Sequence, residues 1–295
     1  MKSLKVEISP EGFVYFHPQV FVTDKSVKYL KQPGLVLVSK PSFSVSQLEG
    51  YLAGLSDEFC DYLADDWLQL SAGEALIKFA GQCCYASFGK NRTRNQEINK
   101  YLTNLKSSKH GSVFEHANYS FLIYGVSRSL THEFIRHRAG FAYSQLSQRY
   151  VDQSVLRFVE RPEFQGDEHL HKAFEERINT TYKQYLELRE ALMEREKELL
   201  GSSSSKTVAR KKLNQAARAV LTNETETVFV VTANVRAWRH FIETRADPHA
   251  EPEIRILAFL LFQALQTIEP NLFGDYQITE SPDGFPCVAT PYSKI

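Results

Sequence analysis

Residues 134–151 read FIRHRAGFAYSQLSQRYV, the densest run of ligand-binding side-chain chemistry in the chain. Arg136, His137, Arg138 and Arg149 stand beside Ser144, Gln145, Ser147 and Gln148, with Phe141, Tyr143 and Tyr150 between them. Guanidiniums stay charged at any accessible pH and present forked donors that suit phosphate or carboxylate oxygens. Hydroxyls and amides read the edge of a heterocycle, and aromatic rings stack on its face. No core strand or core helix needs that mixture; the alternative is a solvated polar loop after an amphipathic helix. Residues 127–138 predict a helix on which Glu133 and Arg136 share a face at i,i+3, offering a carboxylate and an arginine to one ligand. His132, Glu133 and His137 superficially match a zinc-protease motif. Histidines at i,i+5 diverge by roughly 140° on a 3.6-residue helix, however, and the metal reading fails.

The remaining composition is that of an ordinary globular protein. The 295 residues allow one large or two ordinary domains, and 43% hydrophobic residues can fill a core. Lys+Arg and Asp+Glu both number 35, so no whole-molecule field draws the chain toward nucleic acid or membranes, and any bound anion is held by local arginines. Cys60, Cys83, Cys84 and Cys287 form no C-x-x-C pair or metal spacing, which suggests a reducing compartment. Cys83 and Cys84 are expected as inert thiols on a buried helix. The sequence opens without a basic stretch followed by an apolar one, and no apolar run approaches 18 residues, so a cytoplasmic enzyme is the expectation.

Residues 1–70 alternate short apolar runs with Pro10, Pro18, Pro33 and Pro41, predicting short strands and turns and then a helix over 46–63. They carry no motif and are expected as an N-terminal extension packed on the core or on a partner subunit. Ser71 and Glu74 form a capping box, followed by Leu76, Phe79, Ala80, Cys83 and Cys84 at the spacing of a core helix. Residues 90–116 are polar and read as a loop containing His110, Ser112, Glu115 and His116; residues 119–124 read as a strand. A long amphipathic helix is predicted over 167–200. A break at 201–205 and a second helix through Ala209, Leu213, Ala216 and Val220 complete a helical hairpin over 167–221. Residues 225–232 are β-rich, and Asn234 caps a helix whose apolar stripe, Trp238, Phe241 and Ile242, ends in Arg245. A cation on that stripe must meet a carboxylate or a ligand. A core helix follows from Ile254, and the Pro-rich tail from Gly274 is expected to be irregular.

The run RHR followed by SQLSQRY resembles the signature of the flavin-dependent thymidylate synthases, in which RHR, a seven-residue spacer, a serine and an arginine line the site. Here eight residues, 139–146, separate Arg138 from Ser147, and the extra residue falls near Ala139-Gly140, where glycine tolerates positive φ. FEH at 114–116 (with Val113 in place of the usual proline), NVRAW at 234–238 and EIR at 253–255 (with Glu251 where the family has glutamine) extend the resemblance over residues 72–272.

The resemblance implies an α+β fold, with helices packed around an antiparallel sheet in the thymidylate synthase-complementing arrangement. Within it the catalytic domain spans 71–275, and 276–295 form a tail. It implies reductive methylation of dUMP to dTMP with FAD as hydride carrier, and with NADPH and 5,10-methylenetetrahydrofolate as co-substrates. It further implies a homotetramer with sites shared between subunits. Carried over by position, dUMP is met by Glu133, Arg136, Gln145, Leu146, Ser147, Gln148, Arg149, Arg218 and Arg245, with Arg245 the catalytic residue. FAD is met by His110, Ser112, Glu115, Arg136, His137, Arg138, Gln145, Asn234, Arg236 and His240. No Rossmann G-x-G-x-x-G is present, no metal is implied, and no reactive cysteine is needed. Two alternatives stay open: a sister enzyme acting at C5 of another pyrimidine nucleotide, and a non-catalytic nucleotide-binding protein.

Overall fold

A computed structural model describes residues 4–44, 46–55, 70–88, 97–151, 156–200 and 206–295. Cys60, the second half of the helix expected over 46–63, and the break expected at 201–205 lie outside the described residues. The strands are β1 (Glu7–Ile8), β2 (Val14–Phe16), β3 (Val20–Val22), β4 (Lys28–Leu30), β5 (Gly34–Ser39), β6 (Asn118–Ser127), β7 (Phe141–Gln145), β8 (Arg157–Val159), β9 (Glu226–Asn234), β10 (Gln277–Glu280) and β11 (Pro286–Ala289). Helices α1 (Glu49–Ala53), α2 (Ala72–Tyr85) and α3 (Ile98–Ser107) precede β6; α4 (Arg128–Phe134), α5 (Glu168–Leu200) and α6 (Lys206–Ala217) precede β9; α7 (Val235–Arg245), α8 (Pro252–Ile268) and α9 (Pro270–Phe273) follow it.

The main sheet has the order β1-β2-β5-β6-β9-β7 and every pair in it is antiparallel. Its centre is β6 beside β9, paired from Asn118 opposite Asn234 to Ser127 opposite Glu226, with a register shift between Ile123 and Val126. Along β6, Tyr119, Phe121 and Ile123 are buried, as are Thr227, Phe229, Val231 and Ala233 of β9. This is the period-2 pattern of a sheet with one face on a core. Against that core lies α8, predominantly apolar through Ile254, Leu257, Leu260, Leu261, Phe262 and Leu265 and almost wholly buried, with the charged Glu253 and Arg255 buried alongside. The helical hairpin α5–α6 stands on a separate floor, the small sheet β3-β4-β8, with Tyr29, Phe158, Phe174, Ile178, Tyr185 and Ala217 packed between them. There β4 and β8 run parallel, a departure from the all-antiparallel expectation.

Several local expectations are corrected. Residues 7–39, expected as an extension, supply β1, β2 and β5 of the main sheet. Between 46 and 55 a single 3-10 turn, Ser46–Leu48, leads into the short α1. The capping box of α2 is formed, Ser71 accepting from the Glu74 N–H and Glu74 from the Ser71 N–H. Its buried face nevertheless runs through Ala75, Ile77, Lys78, Gly81 and Gln82, while Cys83 and Cys84 are exposed. Residues 98–107, read as loop, form α3, which buries Tyr101, Leu102 and Leu105. The helix expected over 127–138 stops at Phe134, and the tail forms the hairpin β10–β11.

A buried polar cluster ties α2 to the sheet. Glu269, 3% exposed, accepts hydrogen bonds from the hydroxyls of Ser71 and Tyr119. Burial pushes its pKa up to about 7. The folded chain therefore binds this proton more tightly than the unfolded chain. Its contribution to stability is complete below about pH 4.5 and is lost as pH rises through about 7, on the order of 3 kcal/mol in all. Thermal melts from pH 5 to 8 should show a flatter pH dependence for Glu269→Gln than for the parent; equal slopes would place the titrating proton elsewhere.

Candidate active site

Strands β6 and β9 run straight into helices α4 and α7, and each junction is capped from the sequence. The Ser127 hydroxyl accepts from the Leu130 N–H, and the Asn234 side-chain oxygen accepts from the Ala237 N–H at 2.8 Å. Because β6 and β9 are antiparallel, the two helices begin at opposite ends of the strand pair, and their far ends meet. Phe134 and Phe241 lie 4.3 Å apart between ring centroids at that meeting. Beside them Arg245 donates through Nη1 to the Glu133 carboxylate at 2.7 Å, through Nη2 to the Glu133 carbonyl at 3.2 Å, and through Nε to His137 Nε2 at 2.9 Å. The cation on the apolar stripe thus meets a carboxylate, and Glu133 pairs with Arg245 rather than with Arg136.

The electrostatics of this cluster follow from its burial. His137 accepts from a guanidinium, so Nε2 carries no proton. Burial, the Arg245 charge and His240 together push its pKa down to about 4. Glu133 is pushed up to about 7, first by its hydrogen bond with Glu251 and then by burial, against the pull of Arg245. Glu251 is lowered, by that bond with Glu133 and by its ion pair with Arg161. Of the two neighbouring carboxyl groups, Glu133 therefore binds a proton more tightly than Glu251. Arg245→Ala removes a positive neighbour from both groups. The titrations of His137 and Glu133, followed by NMR, should both move upward, and an unmoved His137 would break the link to Arg245.

Residues 141–145 form the edge strand β7, paired with β9 from Phe141 opposite Ala233 to Gln145 opposite Phe229. Arg136 and Arg138 lie exposed in the turn before it and make no ion pair among the described residues. Gly140 sits in that turn at φ +74°, where a Cβ would come within 2.7 Å of Asn234 Nδ2 and 2.9 Å of Ala237 Cβ. Only glycine fits this position of the spacer without strain. Gln145 donates to the Thr131 and Thr227 hydroxyls. Leu146 is exposed, Ser147 Oγ accepts from the Arg149 N–H at 3.3 Å, and Gln148 is half-buried. Arg149 has a buried Nε without a hydrogen-bond partner.

A cleft of about 420 Å³ gathers part of the expected flavin set. Glu115, Asn234, Arg236 and His240 line it together with Gly140, and Arg236 donates to Glu115 at 2.6 Å. That volume lies within the usual range for small-molecule sites, about 300–1,000 Å³. A carboxylate, an amide, a guanidinium and an imidazole around a glycine that leaves room for close approach suit a polar heterocycle carrying phosphates. Ser112 is exposed in the 3-10 turn Gly111–Glu115, and His110 precedes it with its ring 6.4 Å from that of Tyr85. Neither lines the cleft. No hydrogen bond or ion pair among the described residues joins Ser147, Gln148 or Arg149 to Arg218 or Arg245. The sequence reading passed over Arg128. It opens α4, half-buried, and its pKa is lowered by burial and by the like charge of Arg218. Neither arginine has a carboxylate partner among the described residues. The available signal was its position directly after the capping Ser127, as the first residue of the signature helix. Among the described residues no cluster of three or more His, Cys, Asp or Glu could hold a metal, and no helix is long and apolar enough to cross a membrane.

The pattern of the family described as "Thymidylate synthase complementing protein" matches residues 67–271. The chain belongs to that family. Its flavin-dependent thymidylate synthase relatives include one from Mycobacterium sp. (strain KMS), 44% identical over 222 residues, 74% of this chain and 86% of that protein. Another from Mycobacteroides abscessus is 41% identical over 227 residues, covering 77% and 89% of the two chains. Among solved structures, the UMP/dUMP methylase PolB from Streptomyces cacaoi, bound with 5-Br dUMP, superposes with a TM-score of 0.55 at 20% identity, over 83% of this chain and 94% of that one. That likeness establishes the shared α+β fold.

Proposed function

We propose that this family member is a flavin-dependent thymidylate synthase that methylates dUMP reductively to dTMP, with FAD as cofactor and with NADPH and methylenetetrahydrofolate as co-substrates. The observation that carries the reading is the pairing of two features. One is a cleft lined by Glu115, Asn234, Arg236 and His240; the other is a guanidinium, Arg245, held between a carboxyl group and a neutral imidazole at the joined ends of α4 and α7. When bound, FAD supplies the hydride.

The chain's own residues do the rest. Arg245 directs positive charge at the pyrimidine and stabilises the negative charge that makes C5 nucleophilic, so no enzyme nucleophile is required. With Glu133 pushed above the ordinary carboxylate range, the Arg245 charge is incompletely neutralised and hence available to the substrate. His137, kept unprotonated, adds no second positive charge and orients Nε of Arg245. Arg128, Arg149 and Arg218 have no carboxylate partner among the described residues and suit the nucleotide phosphate, with Ser147 and Gln148 as neutral donors. Arg136, Arg138, Ser112 and His110 stand exposed outside the cleft, which supports a site completed by neighbouring subunits of a homotetramer. An enzyme of this kind works in the cytoplasm.

Purified protein reduced anaerobically and offered dUMP with methylenetetrahydrofolate should recover its flavin absorbance as dTMP forms. Reoxidation only with another pyrimidine nucleotide would point to the sister enzyme, and a protein that takes up no flavin at all would defeat the proposal. Arg245→Ala should retain flavin while turnover falls by about 100-fold or more. Loss of flavin with undiminished residual chemistry would remove Arg245 from the nucleotide.

A further inference from the structure

The family pattern ends at residue 271, yet the residues after it turn back to the cleft. They are anchored on a buried charge cluster. Asp275 accepts from Lys106 at 2.6 Å, from Arg239 Nη1 at 2.8 Å and Nη2 at 2.7 Å, and from the Thr290 hydroxyl at 2.5 Å. Arg239 is 2% exposed and Lys106 4%. Burial opposes the Asp275 charge, but Arg239 and Lys106 outweigh it and hold the carboxyl at about 2. The anchor is therefore charged at every working pH, and removing one member would strand a buried ion.

From Thr290 the chain crosses the mouth of the cleft. Tyr292, Lys294 and Ile295 line it; the Ser293 hydroxyl and the Lys294 N–H both donate to Glu243, and Arg236 Nε donates to the Ile295 carbonyl at 2.8 Å. Lys294 adopts φ +57°, a left-handed conformation that a lysine takes only where its surroundings impose it. A count of charge around the cleft isolates this side chain. Arg236 faces Glu115, Arg239 is spent on Asp275, and Glu243 is spent on the segment itself. Lys294 lines the cleft without an ion pair among the described residues.

We propose that residues 292–294 form the outer wall of the flavin cleft, with Lys294 the counter-charge to the cofactor's phosphates. This rests on the assignment of the cleft to FAD. The wall belongs to the same chain as Asn234 and Arg236, and Glu243, one helical turn beyond His240, sets its position.

The test is equilibrium binding to flavin-stripped full-length protein, read by flavin fluorescence with FAD and with riboflavin, which has no phosphate. Lys294→Asn removes the charge while tolerating positive φ, and Lys294→Arg keeps it. Lys294→Asn should weaken FAD about tenfold, leave riboflavin unchanged and melt at the parental temperature; Lys294→Arg should recover most of the loss. Glu243→Gln, which loosens the wall, should weaken FAD in the same direction. FAD affinity of Lys294→Asn within about twofold of the parent, or tighter than the parent, overturns the proposal while leaving the flavin reading intact. A parent that binds neither flavin overturns both.

Discussion

Glu253 lies within the most deeply buried helix of the molecule and holds the Ser127 N–H at 2.7 Å and the Ser127 hydroxyl at 2.6 Å. Its carboxyl is 3% exposed, and burial pushes its pKa up to about 6, so the charge is tolerated only because both donors are in place. This clamp fixes where β6 ends and α4 begins. The seven residues of α4 then carry Glu133 to Arg245 and set the turn that holds Arg136, His137 and Arg138. The core thus reaches the site through this carboxylate as well as through the packed rings of Phe134 and Phe241. A site built this way inherits the rigidity of α8, which suits a guanidinium that must face developing charge without reorganising.

Local chemistry was legible in the sequence, and non-local chemistry was not. Capping residues satisfy groups within their own helix, which is why Ser71, Glu74 and Asn234 could be placed without a structure. The long helix α5 followed from its stripe, with Phe174, Ile178 and Tyr185 fully buried. In contrast, β7 is short and preceded by glycine, and its only strand partner among the described residues is β9, far along the chain. The buried face of α2 was misplaced because it carries Lys78 and Gln82, which periodicity counts as surface. Lys106 and Arg239 escaped for the same reason, since a buried cation is revealed only by the partner that neutralises it, here Asp275.

At the site, motif position located the residues more readily than their interactions. The resemblance assigned Glu133 and Arg245 to the nucleotide and His137 to the flavin, but Glu133 was matched to its i,i+3 neighbour. The structure instead joins it to a residue more than a hundred positions away and to Glu251. Glu251, where an amide donor was expected, pairs with Arg161 and pushes the Glu133 carboxyl upward.

The place of β7 in the sheet has a consequence for how the chain is made. Its strand partner is β9, and β9 is synthesised after the whole helical hairpin. At ribosomal rates of about 5–20 residues per second, the signature stretch waits on the order of ten seconds for its partner strand. Through that interval Phe141 and Tyr143 have no sheet to cover them. The most function-rich segment of the chain therefore cannot join its sheet until β9 has been made.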